Sequence, residues 1–377
     1  MLPVEKFLSE LIALPSVNPM FPVANADWTG EQRVADFLAH QADRLGLEVQ
    51  IQRVHKGRSN VLLRLVPPGG KAQRRVLLVP HMDTVTVSGE RHFKPVKKNG
   101  RLYGRGACDT KGSIAAMFGA LGGIALKGPR PKQTEIILAA MVDEECGQTG
   151  SRRLAKSRMK ADLAIVGEPT MNKLVTAHKG DFWLLLETRG KAAHGSKPEL
   201  GKNAIHEMAR VVDLLETRYA ADLHKRRHPL LGHATVNVGL IRGGQQPNIV
   251  PDECAIRIDR RTLPGETRAS IEKELNSLFR KQKLKVTISD AKTDLCWALE
   301  TNADLPLVKD FMGRLRQKKP LGVDYFCDAA VLANGGIPSV VYGPGDIAQA
   351  HTEDEWISLQ SLEKAVDQLG QFLCTLP

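Results

Sequence analysis

Histidines and carboxylates that could bind a metal ion follow several apolar runs of this sequence. The run Val76–Pro80 is followed directly by HMDTV, which contributes His81 and Asp83. The further candidates are Asp109 in GRGACDTKG, Glu144 and Glu145 in DEECG, Glu168 in GEPT, and His351 in GPGDIAQAH. Imidazole and carboxylate groups are common ligands of zinc and related divalent ions, so these residues predict metal chemistry.

The combination of these side chains indicates a metal ion more strongly than any one of them. A histidine at a strand end often only completes a hydrogen bond, and DEE is typical of a solvated acidic turn. Two histidines and several carboxylates at one sheet edge, however, leave charge uncompensated unless a cation binds. Asp83, two positions after His81, could accept the proton of its second ring nitrogen. The six cysteines form no CxxC pair, which excludes a cysteine-rich structural zinc site.

The elements that must position these residues form an α/β pattern. Short apolar runs alternate with longer helical patterns, which is typical of a mostly parallel sheet with helices on both faces. Ligands bind beyond the carboxyl ends of such strands, so we expect the candidates to meet there. The predicted strands are Val61–Val66, Val76–Pro80, Glu135–Val142, Leu163–Val166 and Pro338–Tyr342. The predicted helices are an amphipathic N-terminal helix, Lys111–Leu126, Leu305–Gln317, Asp328–Asn334 and Ser358–Cys374.

A different order of elements interrupts this pattern from Lys179 to about Lys292. The predicted order is strand Phe182–Thr188, helix Ala204–Tyr219, strands Ala234–Ile241 and Cys254–Arg261, helix Arg268–Lys281 and strand Leu284–Ser289. This βαββαβ order is that of a split, ferredoxin-like unit. We therefore predict a discontinuous domain, residues 1–178 and 293–377, that carries an inserted domain at residues 179–292.

The composition limits the class and the compartment of the protein. With 42% hydrophobic and 25% charged residues in 377 positions, disordered, collagen-like and coiled-coil classes are excluded. No apolar run approaches the 18 residues of a membrane helix. Glu5, Lys6 and Glu10 interrupt the N-terminal apolar stretch, which argues against a signal peptide. Widely spaced cysteines favour a reducing setting. We therefore expect a cytoplasmic protein with no membrane partner.

Six motifs resemble, in order and spacing, those of the M20 family of metallopeptidases and deacylases. They are HMDTV, GRGACDTKG, DEECG, GEPT, the DxRxxPG pattern in DRRTLPG, and GPGDIAQAH. This family includes acetylornithine deacetylase, succinyl-diaminopimelate desuccinylase, aminoacylase and glutamate carboxypeptidase. The resemblance implies a zinc-peptidase-like catalytic domain with an inserted lid and dimerisation domain. It also implies a homodimer formed through the inserted domain.

The resemblance implies two divalent ions per subunit, zinc or alternatively cobalt or manganese. The implied ligands are His81 and Glu168 for one ion, Glu145 and His351 for the other, and Asp109 as the bridge between them. Asp83 would orient His81, and Glu144 would be the general base. Two ions would lower the pKa of a bridging water, and after Glu144 takes its proton the hydroxide would attack an amide carbonyl. The three bound carboxylates and the hydroxide together balance the charge of two divalent ions.

Further residues are implied to contact the substrate. His194, in HGSKP of the inserted domain, resembles the family histidine that reaches the active site of the partner subunit and stabilises the oxyanion. Without the resemblance, His194 is a surface loop residue. Asn248 and Arg261 match positions that hold a substrate carboxylate, which a guanidinium binds through two hydrogen bonds. Gly343 and Gly345 could offer backbone N–H groups, although a simple turn also accounts for them.

The predicted function is hydrolysis of the amide of a small N-acyl amino acid, as in acetylornithine deacetylase or succinyl-diaminopimelate desuccinylase. A dipeptidase or glutamate-type carboxypeptidase is the alternative within the family, because it uses the same metal chemistry. A nucleic-acid-binding protein is an alternative of another class, supported by the net charge of +11 and by runs such as HKRRH. No stacking or helix-turn-helix pattern accompanies these runs, so we expect no nucleic-acid partner. The segment 179–292 carries +7 of the net charge, and we expect it to attract small carboxylate-bearing substrates.

Overall fold

The computed structural model of the chain describes residues 2–291 and 296–377. Contacts within the chain divide it into two compact units. The first unit comprises Met1–Thr176, Thr301–Leu321 and Cys327–Pro377, and the second comprises Ala177–Glu300 and Gly322–Phe326. The boundary that the sequence places between residues 292 and 293 lies outside the described residues. Those domain limits therefore stay a prediction.

The elements follow in chain order. The strands are β1 (Glu48–His55), β2 (Arg58–Leu65), β3 (Arg74–Val79), β4 (Val96–Lys98), β5 (Arg101–Tyr103), β6 (Thr134–Ala140), β7 (Leu163–Val166), β8 (Val175–His178), β9 (Gly180–Arg189), β10 (Arg227–His228), β11 (Gly232–His233), β12 (Thr235–Gly243), β13 (Glu253–Thr262), β14 (Val286–Asp290), β15 (Leu299–Glu300), β16 (Leu321–Val323), β17 (Ser339–Val341) and β18 (Trp356–Ser358). The helices are α1 (Val4–Ile12), α2 (Gln32–Asp43), α3 (Lys111–Leu126), α4 (Thr149–Lys156), α5 (Ala204–Leu214), α6 (Ala220–His224), α7 (Arg268–Lys281), α8 (Pro306–Arg314), α9 (Asp328–Asn334) and α10 (Leu359–Leu373). Within the described ranges, no helix combines the length and the apolar character that crossing a membrane requires.

The first unit is built on a mixed sheet with the strand order β1-β2-β6-β3-β7-β17. The strands β6, β3, β7 and β17 are parallel, whereas β1 and β2 join one side in antiparallel pairing. The parallel strands are buried on both faces, which explains why they are continuous apolar runs such as Val76–Val79. Helices α1, α2, α3, α8 and α10 share a core with one face of this sheet, and α4 and α9 pack on the other. The predicted fold class is confirmed.

The loops that follow the parallel strands leave the sheet at one edge. Backbone hydrogen bonds continue past the strand ends, from Met82 N to Met141 O at 2.8 Å and from Tyr342 N to Val166 O at 2.9 Å. The hydrogen-bond ladder of the sheet thus extends into the first residues of these loops. This edge is where the candidate metal ligands were expected.

A small sheet of β4, β5 and β18 lies beside the segment that precedes α3. Strand β18 pairs with β5 in antiparallel register, with Trp356 opposite Tyr103. The Arg101 guanidinium lies 3.7 Å from the centre of the Trp356 ring and covers it. Because β5 leads into the segment before α3 and β18 follows His351, this pairing brings two distant candidate segments together.

The second unit has an antiparallel sheet with the strand order β12-β13-β9-β14, and α5 and α7 cover one face. Its chain order is the predicted βαββαβ, which confirms the ferredoxin-like prediction. The predicted helix Ala204–Tyr219 is divided, because α5 ends at Leu214 and a π-helical turn follows over Leu215–Tyr219. This wider turn leaves Tyr219 buried, where its hydroxyl accepts a hydrogen bond from Arg260.

Strand β1 is absent from the predicted strands. It lies at the edge of the central sheet, and all of its residues are exposed or half-buried. Its apolar residues Val49 and Ile51 are 39% and 56% exposed. A strand without a buried face lacks the continuous apolar run that identifies the other strands, so its sequence gives only a weak signal.

We expect the ion pair between Arg260 and Glu266 to stabilise the second unit. The fully buried Arg260 guanidinium donates from Nη2 to Glu266 Oε1 at 2.7 Å and from Nε to the Tyr219 hydroxyl at 3.1 Å. Glu266→Ala would leave this charge without its partner, so the free energy of unfolding should fall by about 3 kcal/mol. Unfolding in urea measures the loss.

The matched control is Glu272→Ala on α7. Glu272 pairs with Arg268 at 2.8 Å, but its side chain is 43% exposed. Such a pair contributes at most about 1 kcal/mol. Equal losses in the two variants would contradict the importance of the buried pair.

Candidate metal centre

His81 follows β3 with its ring oriented by Asp83. Its Nδ1 lies 3.0 Å from the Asp83 carbonyl oxygen and 3.4 Å from Asp83 Oδ1, so the ring proton belongs on Nδ1. The other nitrogen, Nε2, faces Asp109 Oδ1 at 3.0 Å and Glu168 Oε1 at 3.9 Å. A lone pair directed at two carboxylates requires a proton or a metal ion between them.

Asp109 lies between the two histidines. Its Oδ1 faces His81 Nε2 at 3.0 Å, and its Oδ2 faces His351 Nε2 at 3.2 Å. Each carboxylate oxygen is thus directed at a different imidazole. This is the arrangement expected of a carboxylate that bridges two ions.

Glu144 and Glu145 follow β6, and their backbone is held by Asp83. The N–H groups of Glu144 and Glu145 each donate to an Asp83 carboxylate oxygen at 3.1 Å. Glu145 Oε2 lies 3.1 Å from His351 Nε2. Asp83 therefore positions the glutamate pair as well as the His81 ring, a second role that the sequence analysis does not predict.

A buried polar network supports this arrangement from behind. The Asn18 side chain donates to Asp83 at 2.8 Å and to Asp143 at 2.9 Å. Arg58 also donates to Asp143 at 3.1 Å and binds Glu31 through two hydrogen bonds of 2.6 and 2.8 Å. The sequence analysis assigns no role to these groups. Asn18 stands in LPSVNP, but its partners are far away in the sequence, so only the fold reveals the network.

Asp328 is a further buried carboxylate that the sequence analysis misses. It is 1% exposed at the start of α9 and accepts a 2.6 Å hydrogen bond from Ser151 Oγ. Burial raises its pKa to about 7. The only sequence signal is its position after Cys327 in CDAA, which carries no metal-ligand pattern.

Burial and mutual repulsion govern the ionisation of the cluster. Burial raises the pKa of Glu144 and of Glu168 well above the usual range, and the charges of neighbouring carboxylates add to the rise. Burial and the charge of Asp109 raise the pKa of Glu145 to about 7. Burial opposes ionisation of Asp109 too, but hydrogen bonds with both histidines outweigh it and lower its pKa. The hydrogen bonds of His351 with Asp109 and with Glu145 raise the pKa of His351 to about 10.

The cluster fits a divalent ion. Ligand atoms of His81, Asp109 and Glu145 lie within 4.8 Å of one another, as do those of His81, Glu144 and Glu168. Glu145 Oε1 and Glu168 Oε1 are buried and accept no hydrogen bond from the residues that the structure describes. A cation would satisfy both oxygens and the imidazole lone pairs together. Oxygen and imidazole ligands suit zinc and other divalent transition metals.

The structure brings two of the three second-unit candidates together. His194 pairs with Ile249 in an isolated bridge, and Gly195 N donates to Asn248 O at 2.7 Å. His194 is exposed, and its Nδ1 lies 2.7 Å from Ser196 Oγ and accepts a hydrogen bond from Ser196 N at 3.2 Å, which favours the ring proton on Nε2. The Arg261 guanidinium donates to both oxygens of Asp259 at 3.0 and 3.1 Å.

The backbone N–H groups of Gly343 and Gly345 have acceptors within the first unit. Gly343 N donates to Thr170 Oγ1 at 3.0 Å, and Gly345 N to Ser361 Oγ at 3.3 Å. A Cβ atom on Gly343 would lie only 2.5 Å from the Glu168 carbonyl oxygen, so the absence of a side chain permits this close approach. Their role in substrate binding stays a prediction, and these contacts give it no support.

Fold and cluster together define a metalloenzyme with a mixed α/β fold. The chain matches the model of peptidase family M20/M25/M40 over residues 77–375 and belongs to this family. Acetylornithine deacetylase of Myxococcus xanthus is 32% identical over 370 residues, covering 94% of this chain and 92% of that protein. The protein is thus a metal-dependent amide hydrolase, as the sequence predicts.

Solved structures agree on the fold. The aminopeptidase PepT of Bacillus cereus superposes with a TM-score of 0.78 at 21% identity, covering 98% of this chain and 97% of that one. The YXEP protein of Bacillus subtilis, a dinuclear metal binding peptidase of family M20, superposes with a TM-score of 0.70 at 11% identity, covering 98% and 96%. At these identities the likeness establishes the fold alone.

We expect a divalent metal ion, added to protein from which a chelator has removed metal, to stabilise the fold by binding to this cluster. Metal that binds only the folded state should raise the free energy of unfolding by about 2.7 kcal/mol at 100 times its Kd. Asp109→Asn should lose most of this gain, because Asp109 faces both histidines. Thermal unfolding with and without zinc measures the gain. The control, Asp36→Asn on the exposed surface of α2, should retain it. An undiminished gain in Asp109→Asn would refute the assignment.

Proposed function

We propose that the protein removes the acyl group from a small N-acyl amino acid, with N-acetylornithine as the first candidate substrate. The observation that carries the hydrolytic assignment is the position of Asp109 between His81 and His351, with Glu145 beside it. The similarity to a protein named acetylornithine deacetylase, over nearly the whole of both chains, supports deacylation.

Two bound ions, proposed to be zinc, would lower the pKa of a water molecule and polarise the amide carbonyl. His81 and Glu168 are proposed to hold one ion, Glu145 and His351 the other, and Asp109 both. Asp83 keeps the proton of His81 on Nδ1 and so leaves Nε2 available. The remaining carboxyl group is that of Glu144.

Glu144 is proposed to transfer the protons of the reaction. Among the residues that the structure describes, none donates a hydrogen bond to the Glu144 carboxylate, in contrast to Asp83 and Asp109. Burial raises its pKa well above the usual range, which favours a group that accepts and returns a proton. It would take the proton of the attacking water and give it to the leaving amine.

Binding of the substrate is proposed to involve His194, Asn248 and Arg261. The exposed Nε2–H of His194 is a suitable donor for a developing oxyanion. Arg261 would hold the substrate carboxylate, which must compete with Asp259 for the guanidinium.

We further propose a homodimer through the inserted domain, in which His194 serves the partner subunit, and a cytoplasmic location. The thiols of Cys108, Cys254, Cys327 and Cys374 are not in disulfides, in keeping with a reducing compartment.

A peptidase of the same family is the second candidate. It would use the same cluster, since peptide and acyl amides are cleaved by the same chemistry. The similar peptidase structures are at most 22% identical and therefore bear on the fold alone. We prefer the deacylase hypothesis because a relative named acetylornithine deacetylase is 32% identical to this chain.

Glu144→Gln should reduce kcat by about 10²- to 10⁴-fold, because an amide cannot accept the proton of the attacking water. Bound metal, measured by atomic emission, should stay at the wild-type level. Glu363→Gln on the exposed surface of α10 is the control and should retain full activity. Wild-type turnover in Glu144→Gln with intact metal would refute the general-base role.

A substrate panel separates the two candidate functions. We expect release of free amine from N-acetylornithine, or from another N-acetyl or N-succinyl amino acid, because a relative at 32% identity is named acetylornithine deacetylase. We expect no comparable turnover of dipeptides. Ninhydrin detection of the released amine, with zinc, cobalt or manganese returned to chelated protein, measures both. Efficient cleavage of dipeptides alone would establish the peptidase instead.

A further inference from the structure

Glu355 is a buried acid that the proposed mechanism does not use. It lies four positions after His351, directly before β18, and is 2% exposed. Its backbone carbonyl accepts a hydrogen bond from Gly104 N at 3.0 Å, next to the pairing of β18 with β5. The side chain contacts residues 105–109, the segment that leads to α3.

Both carboxylate oxygens of Glu355 are occupied by one short segment. Oε2 accepts hydrogen bonds from Arg105 Nη1 at 2.8 Å and Gly106 N at 2.9 Å. Oε1 accepts hydrogen bonds from Cys108 N at 2.8 Å and Asp109 N at 2.9 Å. Four donors saturate this carboxylate, so Glu355 is unsuited to bind a metal ion directly.

These contacts connect two candidate ligands. The segment that Glu355 binds ends at Asp109, and the segment that carries Glu355 begins at His351. The Cys108 thiol donates to Asp346 O at 3.3 Å, which holds the chain just before His351 against the Asp109 segment as well. The distance from Asp109 Oδ2 to His351 Nε2, 3.2 Å, therefore depends on where Glu355 holds the backbone of Asp109.

We propose that Glu355 is a positioning residue that sets the metal affinity of the cluster by fixing the positions of Asp109 and His351 relative to each other. The inference rests on the proposed metal-dependent function. A purely structural residue would stabilise the first unit without changing metal affinity. A positioning residue changes metal affinity beyond any effect on the metal-free fold, because the ligands are displaced while the chain remains folded.

Glu355→Gln is the sharpest test, because it keeps the size of the side chain. An amide has one oxygen, so in either orientation its NH₂ group faces two N–H donors of the segment. We expect the affinity for cobalt(II), titrated into chelated protein and followed by its visible absorption, to fall 10- to 100-fold. The thermal midpoint of the metal-free protein, measured in parallel, reports any loss of fold stability.

Glu353→Gln is the matched control, two positions away on the same segment. Glu353 is half-exposed and bonds to Ser88 and Arg91 outside the Glu355 contacts. Its cobalt(II) affinity should equal that of the wild type. Should Glu355→Gln fail to fold, Glu355→Asp keeps the charge on a shorter side chain and should give an intermediate loss of affinity.

Wild-type cobalt(II) affinity in either folded Glu355 variant would overturn the proposal, whatever happens to the thermal midpoint. The titration needs no substrate, so it is independent of the proposed reaction. A wild-type chain that binds cobalt(II) but hydrolyses no acylated amino acid refutes the deacylase function and leaves the inference standing. A chain that binds no metal overturns both.

Discussion

Mutual repulsion of buried carboxylates at one sheet edge is the constraint on which the rest of the first unit depends. Asp109, Glu144, Glu145 and Glu168 converge there beside His81 and His351. Burial penalises every ionised carboxylate, and each neighbour adds to the penalty. A bound cation would relieve this repulsion, so the geometry is suited to a metal enzyme.

A second feature follows from this constraint, because ligands that repel one another must be held by other bonds. The structure uses acids that accept backbone N–H groups for this purpose. Asp83 binds the N–H groups of Glu144 and Glu145, and Glu355 binds those of Cys108 and Asp109. Hydrogen bonds to charged acceptors are stronger than neutral ones, so these two acids fix the loops without contributing ligands.

The sequence indicates the candidate ligands more directly than it indicates the residues that hold them in place. Strand β7, helix α3 and helix α9 have the predicted bounds, and Glu168 follows β7 as Asp109 precedes α3. The strand predictions succeed because a buried parallel strand is a continuous apolar run, and the polar residues after it are then easily recognised as candidates. Glu31, Asp328 and Glu355 have no such local signal. Their function arises from partners distant in the chain, and a single acidic residue in a sequence is compatible with any solvated surface.

The two adjacent arginines of DRRTLPG illustrate how the fold assigns roles that a motif leaves open. Successive residues of a strand point to opposite faces of the sheet, so Arg260 and Arg261 of β13 cannot share a role. Arg260 is fully buried and donates hydrogen bonds to Tyr219 and Glu266. The Arg261 side chain is 32% exposed and contacts Asp259, an acid two positions earlier on the same strand face. Arg261 Nε also lies 4.0 Å from the buried Asp181, so the proposed substrate carboxylate would compete with both acids for a half-buried guanidinium. The same ligand could reach Arg260 only by opening the core, so the fold alone selects Arg261 as the arginine available to a ligand.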